Sequence, residues 1–259
     1  MARGSSLPYR RGGKNDGNDA EAICEAVSRP NMRFVPVKDL NQQSWLTLHR
    51  VRQGFIEERT ATLNRIRGLL SEFGVVLPQA AIRYGARRHR RSTRYRCWPP
   101  ERFGTCWIMC VMDERIKGYE HQLEQHARTD ERAKRIGSLS GVGPLSASAI
   151  VASVAEAHEF DNGRQFAAWL GLVPRQYSTG GKTRLGRITC KGDPYLRMLL
   201  VMGARSVLQT ASRRADHLAK WALAVRDRRG YHRACVAIAA KHARIIWALL
   251  TKRQALQLA

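Results

Sequence analysis

Residues 171–197, GLVPRQYSTGGKTRLGRITCKGDPYLR, hold the side chains best suited to chemistry on a phosphodiester. Arg175, Lys182, Arg184, Arg187, Lys191 and Arg197 alternate with Gly180, Gly181, Gly186 and Gly192. Cations beside backbone that carries no side chain allow close approach to a phosphate, which charge-assisted hydrogen bonds then hold. Ser178 is the only serine of this stretch. A hydroxyl among cations has its ionisation eased, and the charge that develops when it attacks phosphorus is neutralised. The same residue types also build ordinary turns, in which Ser178 and Thr179 bond their own backbone. Residue chemistry leaves both readings open.

A second motif, IGSLSGVGPLSASAIVASV (136–154), places Leu139, Gly141-Val142-Gly143, Ala147 and Ile150 at helix–hairpin–helix spacing. Gly141 and Gly143 permit a tight hairpin and leave amide donors bare at a helix start, where the helix dipole also favours phosphate. Pro144 suits the first helical turn. A plain helical hairpin packed only on protein has the same pattern. A third pair, Asp16 and Asp19, falls on one face of a helix at i, i+3, so both carboxylates could reach one Mg²⁺. Phosphoryl-transfer sites usually need more carboxylates than two, and Asn15 or Asp16 would equally serve as a helix cap.

The elements that position these residues read as mainly α. Residues 14–29 start with Asn and Asp and stop before Pro30, as a helix does. RFVPV (33–37) suits an edge strand or extended linker. Leu48, Val51, Phe55, Leu63, Ile66, Leu70 and Phe73 recur at three- and four-residue steps. Met112, Ile116, Tyr119, Leu123 and His126 repeat that spacing, as in an antiparallel helical arm. Two further apolar helices are expected over Tyr195–Leu208 and Cys235–Leu250. The implied units are 1–38, an arm over 39–135, and a C-terminal domain over 136–259. Residues 82–111 interrupt the arm with an Arg/Cys/Trp-rich stretch of no periodicity, read here as out of frame relative to an ancestral gene. His89, Cys97, Cys106 and Cys110 lie in it without standard zinc spacing.

The 259 residues carry 45 Lys and Arg against 21 Asp and Glu, a net charge of +24. Residues 136–259 hold 19 basic and 6 acidic residues, and residues 82–112 hold 8 and 1. A surplus of this size belongs beside a polyanion, so nucleic acid is the expected partner and a phospholipid surface a weak second. No apolar run approaches the roughly 20 residues of a membrane span. The opening MARGSSLPYRRGGKND lacks the apolar core of a secretory signal, and the six cysteines form no CxxC pair. A cytoplasmic protein with reduced thiols is expected.

KNDGNDAEAI, a helical arm, LSGVGPLSASAIVASV and FAAWLGLVPRQYSTGGKTRLGRITCKGDPYLR together resemble the IS110 insertion-sequence transposases, over almost the whole chain except residues 82–111. The resemblance implies an N-terminal RNase H-like (RuvC-like) domain whose DEDD carboxylates bind Mg²⁺, a coiled-coil arm, and a helical transposase domain with a catalytic serine. It implies homo-oligomers acting on paired DNA sites with a structured guide RNA. Asp16 and Asp19 match the last two acids of the set, and Ser178 matches the serine. The first Asp and the Glu have no counterpart in the thirteen residues before Lys14. A remnant RNase H-like domain is therefore expected, in a chain that binds DNA or RNA without completing recombination. A non-catalytic helix–hairpin–helix protein that binds DNA or RNA stays open as the alternative.

Overall fold

A computed structural model describes residues 15–30, 37–74, 76 and 105–252, with the backbone alone for 105–110. The expected strand or linker at 33–37, most of the 82–111 stretch and the four candidate zinc ligands lie outside the described residues or side chains. Among the described residues, nine α-helices and one two-stranded ribbon form the fold, which is mainly α as expected.

Helix α1 (Asp16–Val27) begins where Asn15 Oδ1 accepts from the Asn18 amide at 2.7 Å, so Asn15 is the cap. Helix α2 (Leu40–Glu72) opens with a capping box, in which Asp39 accepts from the Gln42 amide while the Gln42 side chain accepts from the Asp39 amide. Helix α3 (Thr105–Thr129) starts inside the aperiodic stretch, ahead of Met112. The contacts between α2 and α3 run in opposite order: Trp45 stacks on His126, Arg52 pairs with Glu120, Phe55 stacks on Tyr119 and Arg59 pairs with Asp113. The two helices are antiparallel. The expected apolar stripe is only partly covered, since Val51 and Phe73 are exposed. Three polar residues, Gln42, His49 and Arg52, are the buried positions of α2.

Helices α4 (Glu131–Gly137) and α5 (Pro144–Ser153) flank the hairpin 138–143. Residues 146–152 of α5 are all buried, because α2, α3, α4 and α7 pack around it. Helix α6 (Gly163–Trp169) precedes the ribbon, and α7 (Pro194–Thr210) follows it with Asp193 as cap and Pro194 in the first turn. Helix α8 (His217–Arg229), not expected from the sequence, and α9 (Tyr231–Thr251) complete the chain of helices, and α7 and α9 extend slightly beyond the apolar stretches expected at Tyr195–Leu208 and Cys235–Leu250. Helix α9 is the central helix of the C-terminal half, with Ala234, Cys235, Ile238, Ala239, Ala243 and Ile246 packed against α4, α6, α7 and α8.

Contrary to the sequence expectation, α9 is long and apolar enough to cross a membrane, with a mean hydropathy of 1.4. Its apolar face is spent on the other helices, as in the core helix of a globular domain.

Among the described residues two histidines, His49 and His242, are fully buried. His242 on α9 finds no hydrogen-bond partner for either ring nitrogen among the described residues. Burial lowers both imidazoles to about 4, helped by Arg52 and His126 at His49 and by Lys241 at His242. In the unfolded chain both would titrate at the ordinary value of about 6.5, so between those limits the unfolded state binds more protons. Stability is therefore complete above about pH 6.5 and falls as pH drops towards 4, by roughly 3 kcal/mol per histidine. Urea melts at about pH 7.5 and about pH 4.5 should show a much lower midpoint in acid. Coincident midpoints would contradict the neutral burial of these rings.

Candidate nucleic-acid interface

Strands β1 (Pro174–Gln176) and β2 (Leu185–Ile188) pair antiparallel, with Pro174 opposite Ile188 and Gln176 opposite Leu185. That change of register places one extra residue in β2, a bulge. Beyond the named strands the pairing continues, with the Tyr177 amide donating to Arg184 O and the Lys182 amide to Thr179 O. Gly180 and Gly181 close the turn with φ of +56° and +75°, the left-handed pair that a two-residue hairpin requires. What reads as a polar glycine loop in the sequence is thus an ordered ribbon, and residues 174–187 are all exposed.

Strand alternation sorts the ribbon into two faces. Ser178 shares its face with Gln176, Thr183 and Leu185, and Gln176 Nε2 donates to Ser178 Oγ at 2.8 Å. Tyr177, Thr179, Lys182 and Arg184 occupy the other face, where the Tyr177 ring lies over Gly186. Lys182 and Arg184 therefore flank the ribbon opposite the hydroxyl and do not surround it. Arg175 reaches back to Thr189 O at 3.4 Å. Arg197 is committed to the ribbon's root, donating from Nη1 to Leu170 O at 3.1 Å and to Lys191 O at 3.4 Å.

The root is a crossing of two backbones. A side chain at Gly171 would start 2.0 Å from Lys191 O, and one at Gly192 would start 1.9 Å from Trp169 O. The segments entering and leaving the ribbon touch here main chain to main chain.

The other sequence candidates are placed elsewhere. Gly141 (φ +86°) packs on α7, where a Cβ would lie 2.7 Å from Gly203 O, while Gly143 caps α5 with open space beside it. Asp16 and Asp19 lie on the first turn of α1. Among the described residues no group of three His, Cys, Asp or Glu side chains could hold a metal ion.

One arrangement has no apolar or glycine signal in the sequence. At the junction of α2, α3, α5 and α7, His49 Nδ1 lies 3.1 Å from Tyr195 Oη and His49 Nε2 lies 3.1 Å from Ser148 Oγ. Ser148 Oγ in turn meets His126 Nδ1 at 2.9 Å. With His49 protonated on Nε2, every step has one donor and one acceptor: Tyr195 donates to His49, His49 to Ser148 and Ser148 to His126. Burial lowers the His126 imidazole and raises the Tyr195 phenol, so both stay neutral as this pattern requires.

A mostly helical body with one cationic, serine-bearing ribbon is the class of protein that these features define. Residues 133–221 match the family described as Transposase IS116/IS110/IS902, and residues 2–75 match an IS110-type DEDD transposase model. Over 255 residues the chain is 45% identical to the "Probable family 20 transposase" of Pseudomonas aeruginosa, spanning 95% of this chain and 74% of that protein. It is 41% identical over 252 residues to the "Transposase for insertion sequence element IS1111A" of Coxiella burnetii, spanning 95% and 69%. It is 37% identical over 257 residues to the "Transposase for insertion sequence element IS1328" of Yersinia enterocolitica, spanning 95% and 74%. The chain belongs to the IS116/IS110/IS902 family of insertion-sequence transposases. Membership makes DNA its partner, and the DEDD-type match carries the requirement for a divalent metal.

Proposed function

We propose that the β1–β2 ribbon is the DNA-contacting element of this transposase and that Ser178 is its nucleophile. The observation that carries the reading is the exposed ribbon itself, with a hydroxyl on one face and Lys182 and Arg184 on the other. Those cations, with Arg175, Arg187 and Lys191, grip phosphates and fix the register of the strand. In the covalent step a bond forms between Ser178 Oγ and phosphorus, and the bond from phosphorus to the deoxyribose oxygen breaks. The serine proton ends on the departing oxygen, and attack by the hydroxyl of a second strand end reverses the step.

Arg197 supports the ribbon from its root. Gly141 seats the helical hairpin on α7, and Gly143 opens the start of α5 to a further phosphate. Asp16 and Asp19 belong to the carboxylate set for Mg²⁺ and need further acids to complete it. The proposed units are residues 1–38, an arm over 39–135 and a transposase domain over 136–259. They work in the cytoplasm as a homo-oligomer on paired DNA ends, with a guide RNA.

The test is salt-dependent binding to duplex DNA by the full chain. Replacing Lys182, Arg184 and Arg187 by Ala should weaken binding, and each lost phosphate contact should flatten the log K against log salt slope by about 0.9. An unchanged slope in the triple variant would remove the ribbon from the interface.

A further inference from the structure

Between the long helix α2 and the C-terminal half lies a cleft of about 290 Å³. Arg50, Gln53 and Gly54 line it from α2, Trp169 and Tyr195 from the C-terminal half, and Lys38 from the segment before α2. Its place in the chain matters. Trp169 ends the helix before the ribbon and Tyr195 belongs to the first turn of the helix after it, so the cleft opens at the ribbon's root.

Both aromatic rings are held in place. Trp169 packs against Phe166 and Phe160 at centroid distances of 5.6 and 5.5 Å. Tyr195 is tied through His49 and Ser148 to His126, which stacks on Trp45 at 4.0 Å. The two carboxylates that line the cleft have other work. Asp193 accepts from the amides of Tyr195 and Leu196, and Glu57 accepts from Gln53 Nε2 at 2.9 Å. Lys38, Arg50 and two fixed aromatic rings line this space beside those two carboxylates, and its volume is near the lower end of small-ligand sites, about 300 Å³. Every nucleobase has a face that stacks on an aromatic ring, and the attached phosphate suits Arg and Lys.

We propose that this cleft receives one unpaired nucleotide of the strand held on the ribbon, its base against Trp169 and Tyr195 and its phosphate on Arg50 and Lys38. The proposal rests on the reading of the ribbon as the DNA-contacting element. It gives the buried histidine–serine chain a purpose, because that chain fixes the orientation of the Tyr195 ring that the base meets. It also explains why exposed Gly54 lies in the middle of a long helix. Nothing comes within 4 Å of a Cβ built there, and the space it leaves is part of the cleft.

The experiment uses the full chain and two short duplexes, one fully paired and one carrying a single unpaired 2-aminopurine. Wild type should bind the second about ten-fold more tightly, the size of one base–aromatic stack, and the 2-aminopurine fluorescence should fall on binding. Gly54→Leu fills the cleft while removing a helix-weakening glycine, so the chain should fold and the affinity ratio should drop to about one. Arg50→Gln should lower the ratio as well. A Gly54→Leu protein with intact helical circular dichroism and an undiminished ratio overturns the proposal, as does a wild-type ratio of one. Lys182→Ala with Arg184→Ala separates the two readings, because it should weaken both duplexes equally. If it weakens neither, the ribbon reading falls and this proposal falls with it. A ribonucleotide version of the unpaired position tells whether the occupant is DNA or RNA, the tighter of the two being the occupant.

Discussion

Ser178→Ala should leave the protein folded and bound to DNA while abolishing any covalent protein–DNA adduct. The structure makes this an unusually clean substitution. Ser178 is exposed on the ribbon, and its side chain has one hydrogen bond, from Gln176 Nε2. Losing an exposed contact of that kind changes stability by no more than about 0.5 kcal/mol. The turn is set by Gly180 and Gly181 and the ladder by backbone bonds, none of which use the hydroxyl. The proposed phosphate grip, Lys182 and Arg184, is on the other face, so affinity and salt slope should match wild type. Chemistry is different, because a phosphoserine linkage cannot form without Oγ. Thr179 faces away and cannot stand in, whereas Thr183 shares the face of Ser178. The measurement is denaturing electrophoresis of protein mixed with a DNA bearing the element's end, nicked so that a linked product is trapped, followed by mapping of the linked residue. An adduct that persists in Ser178→Ala, or that maps to Thr183, would refute the assignment. A wild-type chain that binds DNA and never forms the adduct would favour the non-catalytic binding protein.

How much of this was legible in the sequence depends on which forces set each feature. Helix boundaries were readable because they are local. Asn15, read as a possible cap, caps α1 through the Asn18 amide, and Pro144 sits in the first turn of α5 as its position suggested. The antiparallel arm followed from spacing, although Val51, expected in its stripe, is exposed. The positions that α2 does bury are polar, and a pattern built on apolar residues passes over them. His49 becomes a core residue only because Ser148 and Tyr195 arrive from 99 and 146 residues away. No single-chain periodicity carries that information. The ribbon lay between these cases. Gly180-Gly181 is a hairpin signal, yet the flanking residues are too polar to announce strands, and the two-faced separation of Ser178 from Lys182 and Arg184 needed the register. Gly141 has a packing role that its spacing does not announce. Its spacing fits a phosphate-binding hairpin, while in the fold its Cα side faces Gly203 across a contact too close for any side chain.

Gly192→Ala should be among the most damaging single-methyl changes available in this chain. Gly192 has φ of +94°, a left-handed conformation that costs a residue with a Cβ about 1–3 kcal/mol. The added Cβ would also start 1.9 Å from Trp169 O, an atom of the main chain that no rotamer change can move. Gly171, facing it with φ of +72°, has the reciprocal problem with Lys191 O, so the crossing cannot relax from either side. Together the two penalties point to a loss of roughly 2–4 kcal/mol, or a fall in Tm of roughly 5–15 °C for a domain of this size. Gly68→Ala is the matched control. It adds the same methyl to α2 where nothing lies within 4 Å, and should stabilise by about 0.5–1 kcal/mol. Thermal melts of the three proteins decide the structural part, and a Gly192→Ala protein that melts with wild type would refute the backbone crossing. Binding measured well below the melt then bears on function. Two helices, α6 and α7, meet the ribbon through this crossing, so a displaced root re-aims Lys182, Arg184 and Ser178 as a unit. Duplex affinity should fall together with adduct formation, unlike in Ser178→Ala, where chemistry is lost and affinity kept. Destabilisation with full affinity would mean that the grip on DNA lies away from the ribbon.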